Sequence, residues 1–150
     1  GSASNCDAFH MTQPDFNAKM AICCIEEALK KADMRGVDYV NLHGTGTQAN
    51  DKMEAKAVNL TLGFAYASSL KPQIGHTLGA AGAIESAICA MLCMEENSTL
   101  PPHVYDGEYD ESLEAINLVK SSTKFDVKAV MSLSFAFGGD NAAIIFKRVR

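Results

Sequence analysis

Apolar residues recur at helical spacing over residues 17–32, where Met20, Ile22, Cys23, Ile25, Ala28 and Leu29 are set against Glu26, Glu27, Lys30 and Lys31. The pattern predicts an amphipathic helix ending near Gly36. Residues 37–42 are a short apolar run that reads as a buried strand, and it delivers His43 at its C-terminal end. Met53, Ala57, Val58 and Leu62 mark the inner face of a second helix over 51–62, with Gly63 as its stop. Residues 65–70 read as a weaker strand leading into a turn at 71–76. Residues 78–94, LGAAGAIESAICAMLCM, are apolar on nearly every side with Glu85 in the middle. A stretch of this length with a central carboxylate falls short of the roughly 20 apolar residues that span a bilayer, so it predicts a buried helix. Its small first turns, Gly79 to Ala83, let other backbone approach closely, which suits the centre of a layered domain. Beyond Pro101 and Pro102, the acidic stretch 106–114 reads as a solvated loop. Residues 118–120, 129–135 and 142–149 complete the strands, the last two joined by a turn at 137–141.

This order of elements predicts an α/β fold, a mixed β-sheet with helices on its faces and a buried central helix, with 1–150 as a single domain. A chain of 150 residues buries roughly 70% of the surface its unfolded form exposes, so a real core is available. Its hydrophobic fraction of 47%, charged fraction of 21% and net charge of -5 fit a globular protein with no basic footprint for nucleic acid. No membrane span is expected. Five cysteines form an odd set without CxxC spacing, so reduced, buried thiols and a cytoplasmic setting are expected. No signal-peptide pattern opens the chain. Cys89 and Cys93 have i,i+4 spacing but no second pair of ligands accompanies them, and packing is the better reading.

Chemistry enters with two histidines in glycine-bordered turns, His43 within HGTGT at 43–47 and His76 at the end of KPQIGH at 71–76. Both follow predicted strands, and ligands collect beyond the carboxyl ends of strands in such sheets. The turn at Phe137 falls on the same rim. A histidine pair can offer neutral acceptors and N–H donors in one pocket, and the glycines let the backbone turn sharply against a ligand. Neither histidine has a third ligand at suitable spacing, so no metal is expected. Taken singly, Thr45 and Thr47 read as helix caps, Lys71 as a surface lysine and Phe137 as a core anchor. His10 and His103 lack a motif context and read as structural or surface residues.

Three motifs in order, HGTGT at 43–47, KPQIGHTLGAAGAIES at 71–86 and SFAFGGDN at 134–141, resemble the C-terminal half of a β-ketoacyl-acyl-carrier-protein synthase of the elongating, two-histidine type. Residues 7–12 and 48–58 also fit the family's pattern. The resemblance implies a thiolase-like half-fold. It implies that His43 and His76 hydrogen-bond the thioester carbonyl of a malonyl group and stabilise the enolate formed as carbon dioxide leaves. Lys71 corresponds to the family's active-site lysine and Glu85 to the carboxylate that pairs with it. Thr45 and Thr47 match hydroxyls that hold pantetheine amides. Phe137 matches a gating phenylalanine whose N–H joins an oxyanion hole, and Gly138 joins the same pantetheine-binding set. No cofactor is implied beyond the phosphopantetheine of acyl carrier protein, which is the expected partner.

The chain departs from the family at Leu133, Ala136 and Asp140, where asparagine, glycine and threonine are usual, and alanine at 136 implies a stiffer Phe137 loop. His103 and Tyr105 replace a common threonine and asparagine. None of Cys6, Cys23, Cys24, Cys89 or Cys93 has the small-residue helix start that the family's nucleophilic cysteine needs. The expectation is therefore half of a synthase, inactive alone, which joins a missing N-terminal half and forms a homodimer at full length. The alternatives are a malonyl decarboxylase on the same fold and a non-catalytic partner subunit of the chain-length-factor type.

Overall fold

The computed structural model describes residues 1–7, 9–121 and 123–149, so Ala8 of the 7–12 segment lies outside the described residues. A strand that the hydropathy pattern does not announce, Ser2–Cys6 (β1), opens the fold. It is followed by α1 (Lys19–Lys31), β2 (Tyr39–Asn41), α2 (Gln48–Leu62), β3 (Tyr66–Ser68), the single turn α3 (Lys71–Ile74) and α4 (Ala81–Met94). Strands β4 (Ser98–Leu100), β5 (Asn117–Leu118), β6 (Thr123–Phe125), β7 (Ala129–Phe135) and β8 (Asp140–Lys147) complete it.

Six strands form one sheet in the order β1-β8-β7-β2-β3-β5, and β4 pairs with β6 in a separate ribbon. Strand β2 runs parallel to both β3 and β7, whereas β8 is antiparallel to β7 and β1 antiparallel to β8. The sheet is mixed, as expected. Because β2, β3 and β7 are parallel, the turns carrying His43, Lys71 and Phe137 leave from the same edge.

Alternation along the strands sends side chains to two cores. On one face Val40, Met131 and Leu133 meet Ile25, Ala28, Met53, Ala57 and Val58 of α1 and α2. On the other, Tyr39 and Val130 meet Cys89, Leu92 and Cys93 of α4. The helix at 78–94 differs from its expectation in two ways. Leu78–Ala80 is a 3-10 turn, and the α-helix is not buried all round but on the sheet side only. Met91 and Met94 are 60% and 80% exposed. The physical reason is that the described chain offers this helix one sheet to pack on, whereas its composition suits two apolar neighbours. Cys6 and Cys23 likewise are exposed rather than buried, while Cys24, Cys89 and Cys93 lie in the cores. Burial pushes the Cys24 thiol up to about 11 and that of Cys89 to about 12, which leaves both inert.

Candidate active site

Strand β2 ends at Asn41, and the chain then turns through His43 and Gly44. The turn is fixed by Glu54 of α2, whose side chain is buried and accepts the His43 N–H at 2.6 Å and the Gly44 N–H at 2.8 Å. Asn50 adds a third donor at 3.2 Å. Burial nevertheless dominates these three donors and lifts the Glu54 carboxyl from 4.5 up to about 7. Gly44 has φ +42° and is pressed against the next turn, where a Cβ would stand 2.5 Å from Ser69 Cβ. Glycine is required there by both conformation and space.

The His43 ring lies 5.6 Å from the His76 ring, centroid to centroid, with the planes at 87°. Phe135 of β7 packs edge-on against His43 at 6.2 Å. His43 is 8% exposed. Its burial, then the positive charge of Lys71, then His76 bring its pKa from 6.5 down to about 4, so the imidazole is neutral at pH 7. Nδ1 of His43 is buried without a partner among the described residues.

His76 is exposed, and its Nδ1 accepts the Leu78 N–H at 3.3 Å, which leaves the proton of the neutral ring on Nε2. Lys71 opens α3 at the end of β3 and turns inward, reaching Oε1 of Glu85 at 2.7 Å in a pair whose side chains are 5% and 1% exposed. Glu85 Oε2 has no partner among the described residues. The two side chains form a pair shielded from water, each the other's close partner.

Thr47 occupies the N-cap position of α2 without a side-chain capping bond. Its hydroxyl instead meets that of Thr45 at 3.1 Å, so neither acts as the cap that their position suggests. Phe137 is 79% exposed on the rim, and the Gly138 N–H is taken by the Met11 carbonyl at 2.8 Å. Ala136 has φ -112°, extended backbone that alanine adopts without strain.

A cavity of about 430 Å³ lies beside the imidazole pair. Thr45, Lys71 and His76 line it, as do Gly44 and Glu54; His43, Thr47, Phe137 and Gly138 do not. The structure therefore brings His43, His76, Lys71 and Glu85 into one cluster with Thr45 at its mouth, and leaves Phe137 and Gly138 on a neighbouring loop. Two lining residues escape the sequence reading. Glu54 is three and four positions before Ala57 and Val58, on the inward face of α2, which is the signal that marks it. His103 enters from the far side, where its Nδ1 accepts the Ser69 N–H at 3.1 Å.

The chain as a whole is similar to known proteins. The family model described as "Beta-ketoacyl synthase, C-terminal domain" matches residues 1–105. The chain is 40% identical over 149 residues to 3-oxoacyl-[acyl-carrier-protein] synthase 2 of Coxiella burnetii, covering 95% of this chain and 36% of that protein. Among solved structures it is similar to a chain of the complex of the ketosynthase ApeO with its chain length factor ApeC from Xenorhabdus doucetiae, with a TM-score of 0.92 and 39% identity over 99% of this chain and 38% of that one. It is also similar to a chain of AntDE:AntF, a type II acyl-carrier protein in complex with its ketosynthase, with a TM-score of 0.91 and 29% identity over 100% of this chain and 38% of that one. The chain thus spans about 36% of the length of the curated relatives it matches. Among the described residues no helix is long and apolar enough to cross a membrane. With its mixed sheet and helices in the thiolase-like arrangement of these neighbours, the chain belongs to the β-ketoacyl synthase family and carries that family's C-terminal domain.

Proposed function

We propose that this chain acts as one domain of a 3-oxoacyl-[acyl-carrier-protein] synthase and supplies the two histidines for decarboxylative condensation. The observation that carries the reading is the pair of rings 5.6 Å apart, with Nδ1 of His76 taken up by the Leu78 N–H and its Nε2 left free to donate. Two N–H donors converging on one thioester carbonyl stabilise the negative charge that develops there. As the malonyl carboxylate leaves as carbon dioxide, its bonding pair passes into the enolate, and the enolate carbon then bonds to the acyl carbonyl carbon while the acyl thiolate departs. Donors of this kind in a water-poor site contribute about 3 to 4 kcal/mol each. A neutral His43 suits the role, because it donates without adding a charge that must be expelled when the substrate departs. Lys71, held by Glu85, adds fixed positive charge beside the pair, which lowers His43 basicity and favours the enolate.

The nucleophile comes from outside this chain. Cys23 and Cys24 lie within α1, Cys89 and Cys93 within α4, and Cys6 ends β1. None occupies a helix start with small neighbours. The open apolar side of α4 fits a second half-synthase laid against it. Acyl carrier protein is the substrate-bearing partner, its phosphopantetheine arm held by Thr45 and Thr47 and flanked by Phe137 and Gly138. The assembled enzyme is a homodimer working in the cytoplasm, without a resident cofactor.

The test is turnover of malonyl- and acyl-carrier-protein by the full natural protein that carries this chain. Alanine at His43 or His76 is expected to lower the condensation rate by about 10²-fold or more. The 150-residue chain alone is expected to form no β-ketoacyl product. Product from that chain, or full activity in either alanine variant, overturns the reading. Release of carbon dioxide without condensation from the full protein would instead select the decarboxylase alternative.

A further inference from the structure

The cavity beside the imidazole pair has a second wall that the proposed chemistry leaves unused. Residues 103–118 close it, with His103, Tyr105, Tyr109, Leu113 and Ile116 facing the Thr45, Lys71 and His76 side. His103 is fixed there by two bonds. Its own N–H donates to the Val119 carbonyl at 2.7 Å, and its Nδ1 accepts the Ser69 N–H at 3.1 Å. Tyr105 stands beside the ring at 5.4 Å. Because Nδ1 is committed as an acceptor, the neutral ring carries its proton on Nε2, which has no hydrogen-bond partner among the described residues. Burial lowers the His103 pKa below its ordinary 6.5 despite the opposing pull of Asp51, so the ring is a neutral donor at pH 7.

A fixed N–H donor in a mostly apolar space selects an oxygen acceptor. Asp51 is the charge that acts on the His103 ring from the cavity wall, and it disfavours an anion at this end of the cavity, so the acceptor is a neutral carbonyl rather than a phosphate or carboxylate. We propose that His103 donates its Nε2–H to a carbonyl oxygen of the extended thioester chain that runs between Thr45 and His76, and so sets which chains this site retains. The inference rests on the proposed ketosynthase reading. The carbonyl has two possible sources of one chemistry, an amide of the pantetheine arm or a keto group of the acyl chain.

The test uses the full natural protein with ¹⁵N-labelled histidine, titrated with pantetheine, a saturated acyl pantetheine thioester and a 3-oxoacyl pantetheine thioester. Binding is expected to move the His103 Nε2–H resonance. His103→Asn keeps an acceptor for Ser69 but lacks the far donor, and is expected to weaken binding about tenfold. His103→Gln places an amide N–H near the lost Nε2 and is expected to stay within about threefold of wild type. A response to pantetheine alone assigns the arm amide; a response confined to the 3-oxoacyl ligand assigns the acyl chain; both support the proposal. A merely structural role would lower the melting temperature of His103→Asn without a selective loss of binding. An unmoved Nε2–H signal, or wild-type affinity in His103→Asn for every ligand, overturns the inference alone. Wild-type protein that binds none of the three overturns the ketosynthase reading and this inference together.

Discussion

The two turns that present His43 and His76 bring their rings within 5.6 Å, yet they are built in opposite ways. The first is locked from beneath, because one carboxylate of α2 gathers the N–H groups of His43 and Gly44, and the ring is packed against Phe135. The second is open to solvent, held at its base by the Lys71–Glu85 pair and at its tip by one Leu78 N–H. One donor is pre-organised by its own domain, whereas the other is anchored at a distance through α4. The contrast follows the sheet: the face under α1 and α2 is fully packed, and the face under α4 has its helix uncovered on the outer side. The proposed enolate site needs both donors rigid, so the open turn is the one that gains most from a neighbour laid over α4.

The largest effect is expected where the open turn has its one deep anchor. Lys71→Met removes the cation that neutralises Glu85 and leaves a carboxylate 1% exposed with neither oxygen paired. Breaking a buried pair in this way costs about 3 to 5 kcal/mol, and the double variant with Glu85→Gln is expected to recover much of it. Urea unfolding of the full natural protein checks both. A loss below about 1 kcal/mol in the single variant would mean that the pair does not hold this turn.

How much of this contrast was legible in the chain depends on whether the cause was local. Both histidine turns announce themselves through glycines at strand ends, and β7 is delimited at 129–135 because its mostly apolar run, interrupted only by Ser132 and Ser134, lies between Lys128 and the Gly138–Gly139 turn. Glu54 escapes because a charged residue within a periodic pattern reads as solvated, and only its place before Ala57 and Val58 turns it inward. His103 escapes because its partner Ser69 lies 34 residues away. Strand β1 has just one buried apolar side chain, Ala3, and exists through pairing with β8 at the far end of the chain. For α4, hydropathy says that apolar neighbours are wanted on all sides but not whether the same chain supplies them. The Ala136 substitution reads as a constraint, yet its extended φ leaves it neutral in the observed conformation.

A second, smaller effect separates the turns by pH. The Glu54 pKa rises from 4.5 in the unfolded chain to about 7 in the folded one, so the folded state holds the extra proton between these values and stability falls as pH rises through that window. The His43 pKa drops from 6.5 to about 4, so the unfolded state holds the extra proton and stability rises with pH from about 4 to 6.5. Each shift corresponds to something of the order of 3 kcal/mol, and between pH 4.5 and 6.5 the two slopes oppose. Glu54→Gln is expected to unmask the rising slope and to lower stability at pH 6 by about 1 to 3 kcal/mol, because the new amide group faces the Gly44 N–H without an acceptor to offer it. Melting temperatures from pH 4 to 8 test this, and a Glu54→Gln curve parallel to wild type would show that the carboxylate does not titrate with the turn.

The smallest effect concerns the tip of the open turn. Leu78 has φ +49° and a side chain that is mostly exposed, so it holds a left-handed conformation without burying much in return. Such a backbone costs a branched residue about 1 to 2 kcal/mol, while glycine would give back roughly 0.5 to 1 kcal/mol through the greater freedom of the unfolded chain. Leu78→Gly therefore nets a stabilisation of under about 1 kcal/mol and keeps the N–H that His76 accepts. The same change frees the turn to move once formed. Condensation rate and melting temperature should then diverge, the first falling slightly as the second rises. If both rise together, rigidity at position 78 plays no part in presenting His76, and the asymmetry between the two turns lies wholly in the Lys71 anchor.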